Sequence, residues 1–225
     1  MGYAQQFQEL KSNNLFVFDL DKTLINGDSE EMFLDYLDTQ IDICGDIYIE
    51  RAKYLQAYRL EGGFVKEIVA TSALPLKGLA KPYIEFLARS AFFKFGLKAL
   101  KPKVPSFLSE IKSMGGDMLL VSASISPIVE CFSRYLGFDE FAGTDIDYVN
   151  NIATGGILGT PFHGANKIEA IYRVKNSSGK KIWFFGDSFN DIRAMEASHV
   201  AVAIDPNSEF REYCLSRDIK IINLS

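Results

Sequence analysis

The sequence has few cysteines, no excess of positive charge and no long apolar run, and each absence argues against a class of protein. The three cysteines, Cys44, Cys131 and Cys214, are far apart and odd in number, which argues against a disulfide framework and against a cysteine-based metal site. No apolar run approaches the roughly 20 residues that are needed to cross a bilayer. The net charge of -5 provides no general attraction for nucleic acid or for an anionic membrane.

The start of the chain, MGYAQQFQELKSNN, lacks the basic residues and the apolar stretch of a secretory signal. Together with cysteines that are expected to be reduced, this predicts a cytoplasmic protein whose partners include neither nucleic acid nor a membrane. The length of 225 residues, 48% of them hydrophobic, is sufficient for one full domain and a large insertion. A monomer and a homodimer are both compatible with the sequence.

Short apolar runs alternate along the chain with stretches of helical periodicity. The predicted strands are 15–18, 118–122, 182–185, 200–204 and 219–222. Fully apolar strands are typical of a parallel sheet with helices on both faces, so we predict an α/β fold with a doubly wound, Rossmann-like core. The segment 144–164 is predicted to form a strand, a turn and a second strand, with Gly155 and Gly156 at the turn.

The interval 29–101 contains no convincing strand and is rich in Tyr, Phe and Leu. We predict that it forms a helical cap domain, inserted into a core domain made of residues 1–28 and 102–225. Because the insertion follows the first strand, the cap is expected to stand over the carboxyl end of that strand as a lid. The alternative is that these helices only cover one face of the sheet. Aromatic residues of this interval, such as Tyr58, could line a pocket or could pack between the cap helices.

Two aspartates, Asp19 and Asp21, follow the first buried strand in the stretch LFVFDLDKTL. Side chains alternate along an extended strand, so both carboxylates are expected on the same side. Two carboxylates this close resist ionisation unless a cation neutralises them. The pair therefore predicts a metal site, and a helix cap or a turn is the structural alternative.

The stretch FFGDSFND repeats this arrangement, because Asp187 and Asp191 follow another apolar strand. Carboxylate oxygens are ligands that suit Mg²⁺, although the same residues could form a capped turn. The stretch LLVSAS ends a predicted strand in Ser122, Ala123 and Ser124, just before a helix. A hydroxyl and free N–H groups at such a turn can bind an anion, although serine in this position also serves as a simple cap.

Lys167 lies in the first turn of a predicted helix in the stretch HGANKIEAIYRV. A cation at this position opposes the helix macrodipole, which suggests a role beyond helix formation. A solvated lysine is the alternative interpretation.

Taken together and in this order, the DxDxT motif, the strand-end serine, the lysine and the GDxxND motif resemble the active site of the haloacid dehalogenase superfamily. Within that superfamily, the chain resembles the phosphoserine phosphatase-like branch, whose helical cap follows the first strand. The resemblance implies a Mg²⁺-dependent phosphatase that hydrolyses a small-molecule phosphomonoester through an aspartyl-phosphate intermediate.

The resemblance also implies a role for each catalytic residue. Asp19 would be the nucleophile that attacks phosphorus. Asp21 would protonate the leaving alcohol and then deprotonate the hydrolytic water, and Thr23 would orient Asp21. Lys167 would hold the phosphate against the carboxylates and offset their charge.

Further residues are implied as substrate or metal contacts. The substrate contacts are Thr23, Ser122, Ala123, Asp28 and Asn190. The Mg²⁺ ligands are Asp19, Asp187 and Asp191, together with Asp21 through its backbone carbonyl.

The substrate itself is less well defined by the sequence. Phosphoserine phosphatases hold their amino acid with a glutamate after the nucleophile motif and with an arginine of the cap. Asp28 occupies the position of that glutamate here, and Arg51 and Arg59 are the candidates for the arginine. These differences also leave an amino alcohol phosphate, histidinol phosphate and a phospholipid headgroup phosphate as candidates. Asp28 could alternatively cap the first cap helix.

Two other functions share some of these features. A phosphotransferase would form the same aspartyl-phosphate, although Asp21 favours hydrolysis because it can activate water. A phospho-accepting receiver-like domain would have a similar acidic cluster and lysine, but it would have neither a helical lid nor the second acid.

Overall fold

The computed structural model describes residues 13–41, 45–173 and 179–225. A seven-stranded sheet with the order β4-β3-β2-β1-β5-β6-β7 runs through the molecule, and all neighbouring strands are parallel except β3 and β4. This confirms the predicted α/β fold with a mostly parallel sheet. The strands are β1 (Asn14–Asp19), β2 (Asp117–Ile125), β3 (Glu140–Val149), β4 (Ile152–Leu158), β5 (Lys181–Gly186), β6 (Val200–Ile204) and β7 (Lys220–Ile222).

Helices lie on both faces of the sheet and over one end of it. In chain order they are α1 (Ser29–Asp38), α2 (Gly45–Glu61), α3 (Val65–Ala73), α4 (Lys81–Ala91), α5 (Leu97–Ala99), α6 (Val104–Ser113), α7 (Ser126–Leu136), α8 (Lys167–Arg173), α9 (Ile192–Glu196) and α10 (Ser208–Ser216). A π-helical turn at Phe92–Gly96 joins α4 to α5. Among the described residues, no helix has both the length and the apolar character that a bilayer span requires.

The apolar run of β1 is buried on both faces, which explains why it does not alternate with polar residues. Phe16 and Phe18 belong to the larger core cluster, and Leu15 and Val17 belong to the cluster on the opposite face. All four side chains are at most 1% exposed. Because β1 has a neighbouring strand on each side, its carboxyl end lies in the middle of the sheet edge. Ligands of open α/β sheets bind beyond that edge.

The predicted hairpin is present, but the predicted turn position is wrong. The turn between β3 and β4 is formed by Asn150 and Asn151, whose φ angles of 51° and 63° are the positive values that a tight hairpin turn requires. Gly155 and Gly156 lie within β4. A Cβ at Gly155 would press against the side chain of Lys77, so this glycine allows the insertion to approach the strand closely.

The insertion leaves and rejoins the core at adjacent points. Ile25 pairs with Leu100 in an isolated bridge, which places both ends of the interval beside each other. Helices α1 and α4 pack against α7 of the core, while α2 and α3 pack together near the carboxyl edge of the sheet. These contacts support the division that we propose, with a core of residues 1–28 and 102–225 and a cap of residues 29–101.

Candidate active site

Asp19 ends β1 and is only 6% exposed. Its Oδ2 accepts a hydrogen bond of 2.7 Å from the Thr23 hydroxyl, and its Oδ1 accepts one of 2.5 Å from Nζ of Lys167. Burial raises the pKa of Asp19 to about 6, and the charge of Lys167 limits the increase. Asp19 is therefore a fixed carboxylate that is still largely ionised at neutral pH.

Lys167 begins α8 and is also buried, with 5% of its surface exposed. Its ammonium group donates to Asp19 and, over 2.6 Å, to Oδ1 of Asp191. Burial lowers the pKa of Lys167, but the two carboxylates outweigh this effect and raise the pKa above its ordinary value. The lysine thus remains a cation between two aspartates, and it is not a solvated surface residue.

Asp187 and Asp191 follow β5 and lie beside Asp19. Carboxylate oxygens of these three residues lie within 4.8 Å of one another. Burial and the charges of Asp19 and Asp191 raise the pKa of Asp187 to about 7. An all-oxygen donor set with excess negative charge fits Mg²⁺.

The loop after β5 positions Asp191 through its backbone. Oδ2 of Asp191 accepts hydrogen bonds from the backbone N–H groups of Asp187 and Ser188, over 3.1 and 3.4 Å. Ser188 and Asp191 also form a capping box. A Cβ at Gly186 would collide with the Asp191 carboxylate, so only glycine permits this close approach. The capped turn is therefore present, and it also orients the carboxylate of Asp191.

The carboxylate of Asp21 points away from the cluster of Asp19, Asp187 and Asp191 and towards three serines. It accepts hydrogen bonds from the backbone N–H of Ser29 over 2.6 Å, from the Ser122 hydroxyl over 2.8 Å and from the Ser124 hydroxyl over 3.3 Å. Burial, with the charges of Asp28 and Asp19, raises the pKa of Asp21 to about 7. A carboxyl group with such a pKa can both give and take a proton near neutral pH.

The position of Thr23 corrects one expectation. Its hydroxyl bonds to Asp19 and, over 3.3 Å, lies near Oδ1 of Asp187, so it orients these two residues, whereas serines orient Asp21. Thr23 follows Asp19 by four residues, and the turn closed by the hydrogen bond from the Leu24 N–H to the Leu20 carbonyl brings its hydroxyl back to the strand end.

The end of β2 brings the predicted serine segment to the site. Ser122 is fully buried, and its hydroxyl oxygen accepts a hydrogen bond of 3.0 Å from the backbone N–H of Ser124. Ala123 and Ser124 line the cleft above it. Ser124 was not selected from the sequence, although it lies in the same SAS stretch.

Above these residues is a cleft of about 450 Å³, a volume typical of small-molecule sites. Its core wall includes Asp19, Asp21, Lys167 and Asp187. Its cap wall consists of residues of α2 and α3, together with Glu30 and Glu31 from the first turn of α1; the α2 and α3 residues are Arg51, Leu55, Tyr58, Arg59, Val65, Ile68 and Val69. The α2–α3 part of the insertion therefore closes the cleft, as expected of a lid, while α1 and α4 cover core helix α7.

A hydrogen-bonded contact joins the lid to the core across the cleft. The hydroxyl of Tyr58 lies 3.2 Å from Nε2 of His163 and donates over 3.2 Å to Oδ1 of Asn190. Burial, together with Lys167, lowers the pKa of His163. His163 was not selected from the sequence; its position four residues before Lys167 is the signal that places it at the same edge.

Asp28 caps α1, and its Oδ1 accepts hydrogen bonds of 3.0 Å from the backbone N–H groups of Glu30 and Glu31. The same residue lies on the cleft wall. The helix-cap alternative is therefore correct, and a role of Asp28 in substrate choice stays a prediction. The two candidate arginines, Arg51 and Arg59, both line the cleft.

Comparison with known proteins supports this arrangement. The family model of haloacid dehalogenase-like hydrolases matches residues 16–196. A histidinol-phosphatase of Neisseria meningitidis serogroup C is 22% identical over 219 residues, which cover 93% of this chain and 98% of that protein.

Solved structures share the fold. A protein of unknown function from Bordetella pertussis matches with a TM-score of 0.83 and 20% identity, over 96% of this chain and 100% of that chain. The structure of a phospho-aspartyl intermediate analogue of phosphoserine phosphatase matches with a TM-score of 0.65 and 17% identity, over 96% and 95% of the two chains.

Proposed function

This chain belongs to the haloacid dehalogenase-like hydrolase family, and we propose that it is a phosphatase that hydrolyses a small-molecule phosphomonoester through a phosphorylated Asp19. The arrangement of Asp19 carries the proposal. Asp19 is a buried carboxylate at the end of the central strand, held by Lys167 and Thr23 in a cleft that the cap closes. Similarity to a histidinol-phosphatase and to a phosphoserine phosphatase also supports a small phosphomonoester as substrate.

In the first step, a carboxylate oxygen of Asp19 forms a bond to phosphorus and the phosphorus–oxygen bond to the alcohol breaks. The leaving oxygen takes the proton of Asp21, whose raised pKa of about 7 keeps a protonated fraction at neutral pH. Lys167 stabilises negative charge on the phosphoryl oxygens as the bonds exchange. The products are the free alcohol and an acyl phosphate on Asp19.

In the second step, Asp21 takes a proton from water, and the resulting hydroxide oxygen attacks the phosphorus of the acyl phosphate. The bond to Asp19 breaks, which restores its carboxylate and releases inorganic phosphate. Serines hold Asp21 in place for both proton transfers. The lid restricts access of other nucleophiles to the acyl phosphate, as is needed for a reactive intermediate.

Asp19, Asp187 and Asp191 would hold Mg²⁺, with the backbone carbonyl of Asp21 as a further ligand. When bound, the ion neutralises the carboxylates and the substrate phosphate, so that an anionic nucleophile can approach phosphorus. For the phosphate itself we propose contacts from Ala123 and Lys167, which line the cleft, while Asn190 fixes the loop after β5. Ser122 and Thr23 are fully buried, and their hydroxyls already bond to Asp21 and Asp19, so they act by positioning these two acids.

The test is hydrolysis of p-nitrophenyl phosphate with Mg²⁺. The wild-type protein should release nitrophenol, and EDTA or the substitution Asp19→Asn should reduce the rate by at least about 10³-fold. Circular dichroism and melting temperature establish that the variant is folded. Full activity of Asp19→Asn would refute the assignment of the nucleophile. A stable phosphorylated protein without turnover would indicate a receiver-like function, and phosphate transfer to an added alcohol would indicate a phosphotransferase.

A further inference from the structure

Glu30 is a second buried acid on the wall of the cleft, in the first turn of α1. Only 4% of its surface is exposed. Its Oε2 accepts a hydrogen bond of 3.3 Å from Nη2 of Arg51. Its Oε1 is buried, and within the part of the chain that the structure describes it has no hydrogen-bond partner.

An unpartnered carboxylate oxygen at this depth is unusual. Buried polar atoms nearly always have a partner, because a buried atom without a hydrogen bond has lost its water and gained nothing in return, and this cost is larger for a charged group. Such an atom beside a cleft of ligand size therefore indicates a hydrogen-bond donor that arrives with a ligand.

Arg51 is already occupied within the cap. Its Nη1 lies 2.9 Å from the backbone carbonyl of Ile68, 3.2 Å from Oγ1 of Thr71 and 3.0 Å from Oγ of Ser72. Together with the bond to Glu30, these contacts hold the guanidinium among four oxygen atoms. Arg51 thus positions Glu30, and its Nη1 is already bonded within the cap before any ligand enters.

The charges around Glu30 favour a cation. Burial raises the pKa of Glu30 to about 8, the nearby Arg51 limits the increase, and the carboxylates of Asp28 and Asp21 add to it. Three acids thus face one guanidinium on this side of the cleft. A bound cation would reduce the repulsion and would stabilise the ionised form of Glu30.

We propose that Glu30 selects the substrate, with Oε1 accepting a hydrogen bond from an ammonium group on the leaving alcohol of the phosphomonoester. This rests on the proposed phosphatase function. The preferred substrates are then amino alcohol phosphates, because a substrate carboxylate placed at Oε1 would meet Glu30, Asp28 and Asp21 beside a single guanidinium. Asp28 is the competing acid, but its Oδ1 is bonded to two N–H groups of α1.

Isothermal titration calorimetry with phosphonates tests this without requiring turnover. The probes are 2-aminoethylphosphonate, 2-hydroxyethylphosphonate and propylphosphonate, with their homologues one carbon longer, all in the presence of Mg²⁺. Wild-type protein should bind at least one aminoalkylphosphonate roughly 10- to 100-fold more tightly than the alkylphosphonate of equal length, because the new bond joins two charged groups. Glu30→Gln should reduce this preference to about threefold or less, whereas the matched variant Glu31→Gln, which removes the charge of an exposed acid in the same turn of α1, should preserve it.

Three results would overturn the proposal. The first is equal binding of amine and alkyl probes by the wild type, and the second is a full preference in Glu30→Gln. Equal binding of the hydroxyl and amine probes would show that a neutral donor suffices. If Glu30→Gln does not fold, the double variant Glu30→Met with Arg51→Met removes the ion pair as a unit, a replacement that buried pairs often tolerate, and the same loss of preference is expected. An amine preference without hydrolysis of p-nitrophenyl phosphate would reject only the proposed function.

Discussion

The ammonium group of Lys167 lies 2.5 Å from Oδ1 of Asp19, with both side chains buried at the centre of the cleft. The same ammonium group lies 2.6 Å from Asp191, so one cation holds the proposed nucleophile against the loop after β5. A buried cation between two carboxylates limits their mutual repulsion, and it is already in place for charge that develops on a phosphate.

Replacing Lys167 by methionine is expected to reduce kcat for p-nitrophenyl phosphate by about 10²- to 10³-fold, the range observed when a single charge-stabilising donor is removed. Lys66→Met is the matched control, because Lys66 is an exposed lysine of α3 and does not line the cleft. Steady-state kinetics provides the measurement. A Lys167→Met enzyme within threefold of wild type would contradict the role of this residue.

The metal-free protein should become less stable as pH rises. Burial raises the pKa of Asp187 to about 7 from an ordinary value of 3.8, so the folded state favours the protonated carboxyl. This contribution is fully present below about pH 4 and is lost as the pH rises through about 7. In EDTA, the melting temperature should therefore fall by several degrees between pH 5.5 and pH 8.

Asp187→Asn isolates this effect, because the amide does not titrate. The difference in melting temperature between variant and wild type should grow in favour of the variant as pH rises. Mg²⁺ should raise the melting temperature of the wild type at pH 8, since a ligand of the folded state stabilises it. A wild type that gains stability relative to Asp187→Asn on going to pH 8 in EDTA would contradict the prediction.

Tyr58→Phe removes the hydroxyl that joins the lid to His163 and Asn190. Each bond of this kind contributes about 1 kcal/mol, so we expect KM to rise up to about fivefold, with a smaller effect on kcat. Tyr54→Phe, on the same helix, is the control, because the Tyr54 hydroxyl bonds to Glu50 within the cap. Equal KM values for the two variants would show that the contact across the cleft does not assist substrate binding.

Asp28→Ala removes the N-cap of α1 and should lower the free energy of unfolding by about 1 kcal/mol, whereas Asp28→Asn should retain most of it. Urea denaturation measures both values. Rates on a panel of phosphate esters then separate capping from selection. If Asp28→Ala keeps the ranking of substrates, its predicted selectivity role is rejected.

Local patterns were sufficient to predict the fold and most of the residues brought together in the cleft. Buried strands appear as apolar runs, and the polar residues directly after them reach one edge of a parallel sheet. The hairpin turn was misplaced because asparagine also adopts positive φ angles, whereas Gly155 serves the approach of Lys77. Contacts between residues far apart in the chain carry no such pattern, so neither the Thr23 contact with Asp187 nor the Tyr58–His163 contact was predicted.

The sequence by itself determined the α/β class, the helical insertion and the order of Asp19, Asp21, Lys167 and Asp187 along the chain, because these depend on periodicity and on spacing from strand ends. Only the tertiary structure decided how the neighbouring acids are held. Asp28 and Glu30 are two residues apart and chemically alike, but Asp28 bonds to the backbone of α1 while Glu30 lies against Arg51 from another helix. Burial and long-range partners set the chemistry of a carboxylate, and these arise only when the chain is folded.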